Sequence, residues 1–212
     1  MRCATTILLG LVLAVTGERA VAYEEPQYTI VGETADYEIR RYEPYIVAEV
    51  DVDGSQRSAG NSAFRILAGY IFGDNRARTK MAMTTPVESQ PISEKMQMTA
   101  PVETVTSQPG NYVYAFVMER KYTLESLPEP NDPRIRIVTR PARTMAVRRF
   151  SGSWREGNYS KNETALLTAL ADDGVTIVGG PVFARYNGPF TPTFMRRNEI
   201  LIEVAESTAA SR

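Results

Sequence analysis

Two methionine pairs offer the first chemistry. Lys80-Met81-Ala82-Met83-Thr84-Thr85-Pro86-Val87 returns as Lys95-Met96-Gln97-Met98-Thr99-Ala100-Pro101-Val102, with seven residues, Glu88 to Glu94, between the copies. Thioethers are soft donors that suit Cu(I). They are also adaptable apolar groups that fill a core or floor a lipophilic pocket. In an extended chain Met81, Met83, Thr85 and Val87 share one face, as do Met96, Met98, Ala100 and Val102. The spacing predicts an antiparallel pair with a methionine-rich face turned inward. Three readings of that face follow: core packing, which is the default, a pocket wall, and a site for Cu(I).

The residues that are missing narrow the chemistry further. The chain has no histidine, and its one cysteine is Cys3. Imidazole–hydroxyl and imidazole–thiol catalysis are therefore excluded, together with the usual zinc sites. Any enzyme built here relies on carboxylates, tyrosines and lysines. Glu119, after the apolar run ending in Met118, is one candidate acid or base. Glu199, in Arg196-Arg197-Asn198-Glu199, is another, although arginine–carboxylate pairing there equally reads as a structural clamp.

The order of elements follows from periodicity. Arg2, the apolar run Ala4–Val15 and the small-x-small Ala20-Val21-Ala22 predict a leader over 1–22, with cleavage before Tyr23 and export to the periplasm or beyond. Residues 23–36 read as an extension, 37–205 as one domain and 206–212 as a flexible tail. Alternation predicts strands at 37–42 and 45–52 around Pro44. Gly54-Ser55 opens a helix with Ala63, Phe64, Leu67 and Ile71 on one side, stopped by Gly73. Strands follow over the methionine pairs and at 111–118. The pattern restarts with strands at 134–139 and 143–150. Ser160-Lys161-Asn162-Glu163 reads as a capping box opening a second helix, and Asp173-Gly174 ends it. Strands at 182–186 and 199–204 close the chain. Two β-β-α-β repeats are expected to form one α+β unit, because each half leaves an apolar sheet face that the other can cover. The net charge of -1 and the lack of a basic patch argue against a nucleic-acid partner. No apolar run is long enough to span a bilayer.

Several motifs together resemble the SOUL haem-binding protein family. They are the repeated K-M-x-M-T-x-P-V, Phe116-Val117-Met118, Arg149-Phe150-Ser151-Gly152-Ser153-Trp154, and Ala184-Arg185-Tyr186-Asn187-Gly188-Pro189-Phe190-Thr191-Pro192 with Arg196-Arg197-Asn198-Glu199. The likeness runs from about Tyr37 to Val204. It implies a duplicated α+β fold, a pseudo-twofold twisted antiparallel sheet or distorted barrel with two flanking helices. That fold is similar to the effector-binding domains of gyrase-inhibitor-like proteins. The resemblance also implies binding of haem or another tetrapyrrole. Some members are ascribed an axial histidine, which this chain lacks. Only a mode that grips the ring in an apolar groove is then available, unless a Met or Tyr ligates iron.

A porphyrin needs an apolar slot and cations for its carboxylates. The first helix offers Phe64 and Leu67 as apolar surface, with Arg57 and Arg65 as cations. Met83, Met98 and Trp154 complete the candidate lining. Each also has a structural reading: Phe64 and Leu67 as sheet-facing core, Trp154 as a plug. The expectation is an exported, monomeric binding protein for a hydrophobic planar molecule, with haem or another tetrapyrrole as ligand and no catalytic residue. The alternatives are a tetrapyrrole dechelatase or hydrolase using Glu119 or Glu199, and a periplasmic Cu(I) carrier using Met81, Met83, Met96 and Met98.

Overall fold

The computed structural model describes residues 23–78 and 93–206. The expected leader, the first methionine octapeptide with Met81 and Met83, and most of the expected tail lie outside them. The strands are β1 (Tyr28–Glu33), β2 (Glu38–Tyr42), β3 (Tyr45–Asp53), β4 (Asn75–Arg76), β5 (Val102–Gln108), β6 (Asn111–Val117), β7 (Glu129–Pro130), β8 (Arg136–Arg140), β9 (Arg143–Phe150), β10 (Ile177–Arg185) and β11 (Asn198–Val204). The helices are α1 (Gln56–Phe72) and α2 (Glu156–Asp172). Nine strands form one curled antiparallel sheet in the order β1-β2-β9-β11-β10-β5-β6-β3-β8, and β4 pairs with β7. The α+β class is as expected.

Strand order carries a symmetry. Read outward from the central β5–β10 pair, one side runs β6, β3, β8 and the other β11, β9, β2. In this order β5 faces β10, β6 faces β11, β3 faces β9 and β8 faces β2, with β1 outside the pattern. Two strands of the nine-stranded sheet, not one, follow each helix: β5 and β6 after α1, β10 and β11 after α2. Residues 23–36 are more than an extension, because β1 pairs with β2 at the sheet edge.

Local chemistry sets the helix ends. Ser55 caps α1, its hydroxyl accepting from the Ser58 amide. Gly73 ends it at φ +123°, a conformation that side chains disfavour. The expected capping box is a correction: α2 starts a turn earlier, at Glu156, and Ser160 lies inside it. Asn158 explains this. Its amide donates to the carbonyls of Ser151 and Ser153, tying the first turn to the preceding loop. Tyr159, buried against Phe150 and Phe183, packs that turn on the sheet.

The second methionine pair is extended but is not a strand until Val102. Its alternation survives, with Met96 and Ala100 buried, Met98 half-buried, and Lys95 and Gln97 exposed. Its backbone is satisfied by scattered partners: Met96 N–H by the Ile71 carbonyl, Gln97 N–H by the Glu119 carboxylate, and Ala100 N–H by the Glu24 carbonyl. An apolar alternation fixes which side chains are buried; ladder pairing needs a free neighbouring strand as well.

Two cores lie under the helices. Ala59, Ala63, Leu67 and Tyr70 of α1 pack on Ala48, Val50, Tyr114 and Phe116. Tyr159, Leu166 and Leu170 of α2 pack on Ala146, Phe183, Ile200 and Ile202. Gly60 lets α1 lie close: a Cβ there would come within 3.1 Å of the Tyr114 hydroxyl.

Candidate functional site between the helices

Strand alternation sends Phe183 and Arg185 of β10 to the helix-covered face. Arg185 stands beside Val102 of β5 and Asn198 of β11. Val102 in turn stands beside Phe116 of β6. At about 4.8 Å per strand, Arg185 and Phe116 are roughly 10 Å apart on the floor between α1 and α2. The Arg185 Nε donates to the Tyr159 hydroxyl at 2.9 Å. Its guanidinium carbon lies 5.3 Å from the Trp154 ring, 5.6 Å from Tyr159 and 5.9 Å from Tyr114. Such ring faces attract a cation but leave its charge uncompensated. Arg185 is half-buried, and no carboxylate pairs with it among the described residues.

The surrounding groups are held in place. Trp154 donates its indole N–H to the Asn198 side chain at 2.9 Å, and Arg196 stacks 4.1 Å from the Trp154 ring. The Tyr114 hydroxyl donates to the Gln56 carbonyl at the start of α1. Thr104, buried one pair along β5, is near enough to Tyr114 to influence its proton but completes no hydrogen bond of its own. Burial raises the pKa of both Tyr114 and Tyr159, although the neighbouring Arg185 works the other way. Both are therefore neutral phenols, which are weak ligands for iron.

The structure separates the residues expected on α1. Phe64 is 46% exposed, with its ring 5.6 Å from that of the buried Phe116, so it stands on the flank of α1 that faces β5 and β6. Arg57 is exposed seven residues before it, on the same flank by helix periodicity. Arg65 is not on that flank. It lines a surface cavity of about 380 Å³ on the other side of α1, with Tyr70, Asp74, Asp132 and Arg134. Eight residues along a 3.6-residue turn leave about 80° between Arg57 and Arg65, so the two expected cations do not share a face. Leu67 is fully buried in the α1 core and is not a slot wall. Met98 is half-buried against that core, and Met83 lies outside the described residues. Trp154 is in the site. Arg185 was missed as a site residue, although a cation on the apolar face of the Phe183–Arg185 alternation was the available signal.

The carboxylates weighed as catalytic are consumed by structure. Glu119 is buried, accepts from Gln97 N–H at 2.9 Å and pairs with Lys121 at 3.2 Å. Glu199 faces away from the helices and is fully buried. It accepts from both terminal nitrogens of Arg40 at 2.9 and 3.2 Å, from Arg197 at 3.0 Å and from the Tyr186 hydroxyl at 2.7 Å. Burial pushes its pKa up, but the hydrogen bonds and charge of Arg40, helped by Arg197 and Tyr186, more than reverse this and hold it below its ordinary value. Glu199 belongs to a row crossing five strands, Glu49–Ala115–Glu103–Ala184–Glu199. Glu49 pairs with Arg136 and Arg140, and Glu103 accepts from the Tyr45 hydroxyl.

The sheet with its two helices is an architecture shared with known structures. It is similar to the EcmrR C-terminal domain (TM-score 0.56, 13% identity, covering 84% of this chain and 98% of that one). It is also similar to a hydrolase from Listeria innocua (TM-score 0.51, 12% identity, 82% and 94% covered). EcmrR in its complex with DNA gives a TM-score of 0.55 at 13% identity, over 79% of this chain and 56% of that one. At these identities the likeness is one of fold. A search of curated proteins finds no match. The model of the SOUL heme-binding protein family matches residues 23–203, and the chain belongs to that family.

Proposed function

We propose that this protein binds a tetrapyrrole by its periphery rather than by its iron. The observation that carries the reading is Arg185: a half-buried guanidinium, ringed by Tyr114, Trp154 and Tyr159, with no carboxylate partner among the described residues. A ring carboxylate supplies the missing charge, and a charge-assisted pair gains strength where water is partly excluded. Exposed Phe64 and partly buried Val102 offer apolar surface beside it, above a buried Phe116. The donor set fits the edge of such a ligand and not its metal, since the chain has no histidine, Cys3 lies in the expected leader, and both nearby tyrosines are neutral. When iron is present it supplies redox and ligand-binding chemistry; the protein's own residues hold the carboxylate, face the ring and shield it from water. The leader would deliver the protein to the periplasm or the exterior.

Trp154 is the sole tryptophan, so its fluorescence reports directly on the site. Purified protein is titrated with haemin and, separately, with metal-free protoporphyrin. Saturable quenching at similar micromolar concentrations by both ligands is expected. Absence of saturable quenching, or binding that requires iron, overturns the reading. No observation favours the enzyme or Cu(I) alternatives, because Glu119 and Glu199 are engaged and Met96 is buried.

A further inference from the structure

The loop between β10 and β11 presents three large apolar side chains to solvent. Phe190 is 98% exposed, Phe194 76% and Met195 64%. Single exposed apolar residues are ordinary, but three in one short loop are not. The loop is also fastened internally. The Arg196 side chain donates to the Thr191 and Pro189 carbonyls, each at 2.8 Å. The Gly188, Pro192 and Thr193 carbonyls accept from Thr191, Met195 and Gly152 N–H groups. Pro189 and Pro192 carry no N–H. These bonds hold the loop's shape, so its apolar side chains are presented on a fastened backbone.

We propose that this loop docks the protein onto an anionic lipid surface. The loop is a convex tip and not a groove, so it suits insertion into a deformable medium. Charge supports the same occupant. Arg155 is exposed, and neither it nor Arg196 has a carboxylate partner among the described residues; Glu156, at the start of α2, is the nearest acid in sequence. Cations behind an aromatic tip match anionic headgroups above an acyl boundary. No helix among the described residues is long and apolar enough to cross a membrane, so attachment through this loop is peripheral. Arg196 both fastens the loop and stacks on Trp154, whose ring also lies 5.3 Å from Arg185, so the loop and Arg185 share this neighbour.

The test is co-sedimentation with vesicles of phosphatidylcholine alone and of phosphatidylcholine with phosphatidylglycerol. The expected result is binding that is stronger on the anionic vesicles and weakened about tenfold or more by the Phe190→Ser, Phe194→Ser double variant. Trp154 quenching by haemin in solution stays unchanged in that variant, which separates failure of this inference from failure of the tetrapyrrole reading. A folded wild-type protein that ignores both vesicle types overturns the proposal, as does a double variant that binds them equally. A wild type that self-associates through the loop while the variant remains monomeric also overturns it, in favour of a second copy of this chain.

Discussion

Arg40 and Arg185 stand on opposite faces of the same sheet and have opposite surroundings. Arg40 is 2% exposed and grips Glu199 with both terminal nitrogens while its Nε meets Glu38. Arg185 is half-buried, donates to the Tyr159 hydroxyl and lies near the Tyr114 and Trp154 rings, with no carboxylate partner among the described residues. A buried charge must be paired or it costs several kcal/mol. The face away from the helices meets that demand from within the chain, through the row of glutamates and its arginines. The face under the helices leaves Arg185 without a carboxylate partner among the described residues. The first arrangement holds the fold; the second is suited to a ligand that brings its own carboxylate.

Breaking the paired face gives the largest effect. Arg40→Ala leaves Glu199 with Arg197 and Tyr186 alone, and an expected loss of about 3–5 kcal/mol in denaturant unfolding follows from an undercompensated buried carboxylate. A loss below about 1 kcal/mol breaks the contrast. The same pair sets a pH dependence. The Glu199 pKa is lower folded than unfolded, so its stabilisation is complete above the ordinary carboxylate pKa and disappears as pH falls through the folded value. Thermal melts should therefore lose stability on the acid side, and Glu199→Gln should flatten that slope.

Within α1 the contrast is between core and groove. Leu67→Ala, at a fully buried position, is expected to lower stability by about 2–5 kcal/mol. Phe64→Ala, at the exposed groove edge, should cost about 1 kcal/mol or less and weaken porphyrin quenching instead. Equal stability losses for the two would merge the groove with the core.

The unpaired face is probed by Arg185→Gln. Binding of haemin should weaken about tenfold, the equivalent of roughly 1.4 kcal/mol, with stability changed by less than that. A variant that binds as tightly as wild type removes the anchor. Trp154→Phe deletes the indole N–H bond to Asn198 and should cost about 1 kcal/mol, comparable to the stability loss of Phe64→Ala. With no tryptophan left, its ligand binding is read by porphyrin absorbance.

Much of the fold was readable in the chain. Ser55, the Phe64-to-Ile71 stripe and Gly73 marked α1 closely, because caps and apolar periodicity act over a few residues. Alternation located β3, β6, β9 and β11 within a residue or so. The second methionine pair showed its buried side for the same reason, yet its backbone partners came from Ile71, Glu24 and Glu119, which no local pattern names. The start of α2 was misplaced because Asn158 bonds back to a loop five and seven residues away and displaces the Ser160 signal. Of the residues expected to line the site, Trp154 lies near Arg185, and Arg57 and Phe64 are exposed along one flank of α1, whereas Leu67 is core and Arg65 lines a separate cavity.

By itself, the sequence determined which donors exist. With no histidine and a lone cysteine at position 3, no folding could create an imidazole site, or a thiol site beyond that residue. It also determined, through periods of two and 3.6, which side chains share a face of a strand or helix. Only tertiary structure decided which arginine would be neutralised. That choice depends on Glu199 of the last strand lying across from Arg40 of the second, and on Arg185 meeting rings from α2, β6 and the loop before α2. Charge compensation acts through space, between residues more than a hundred positions apart, and local sequence holds no record of such distances.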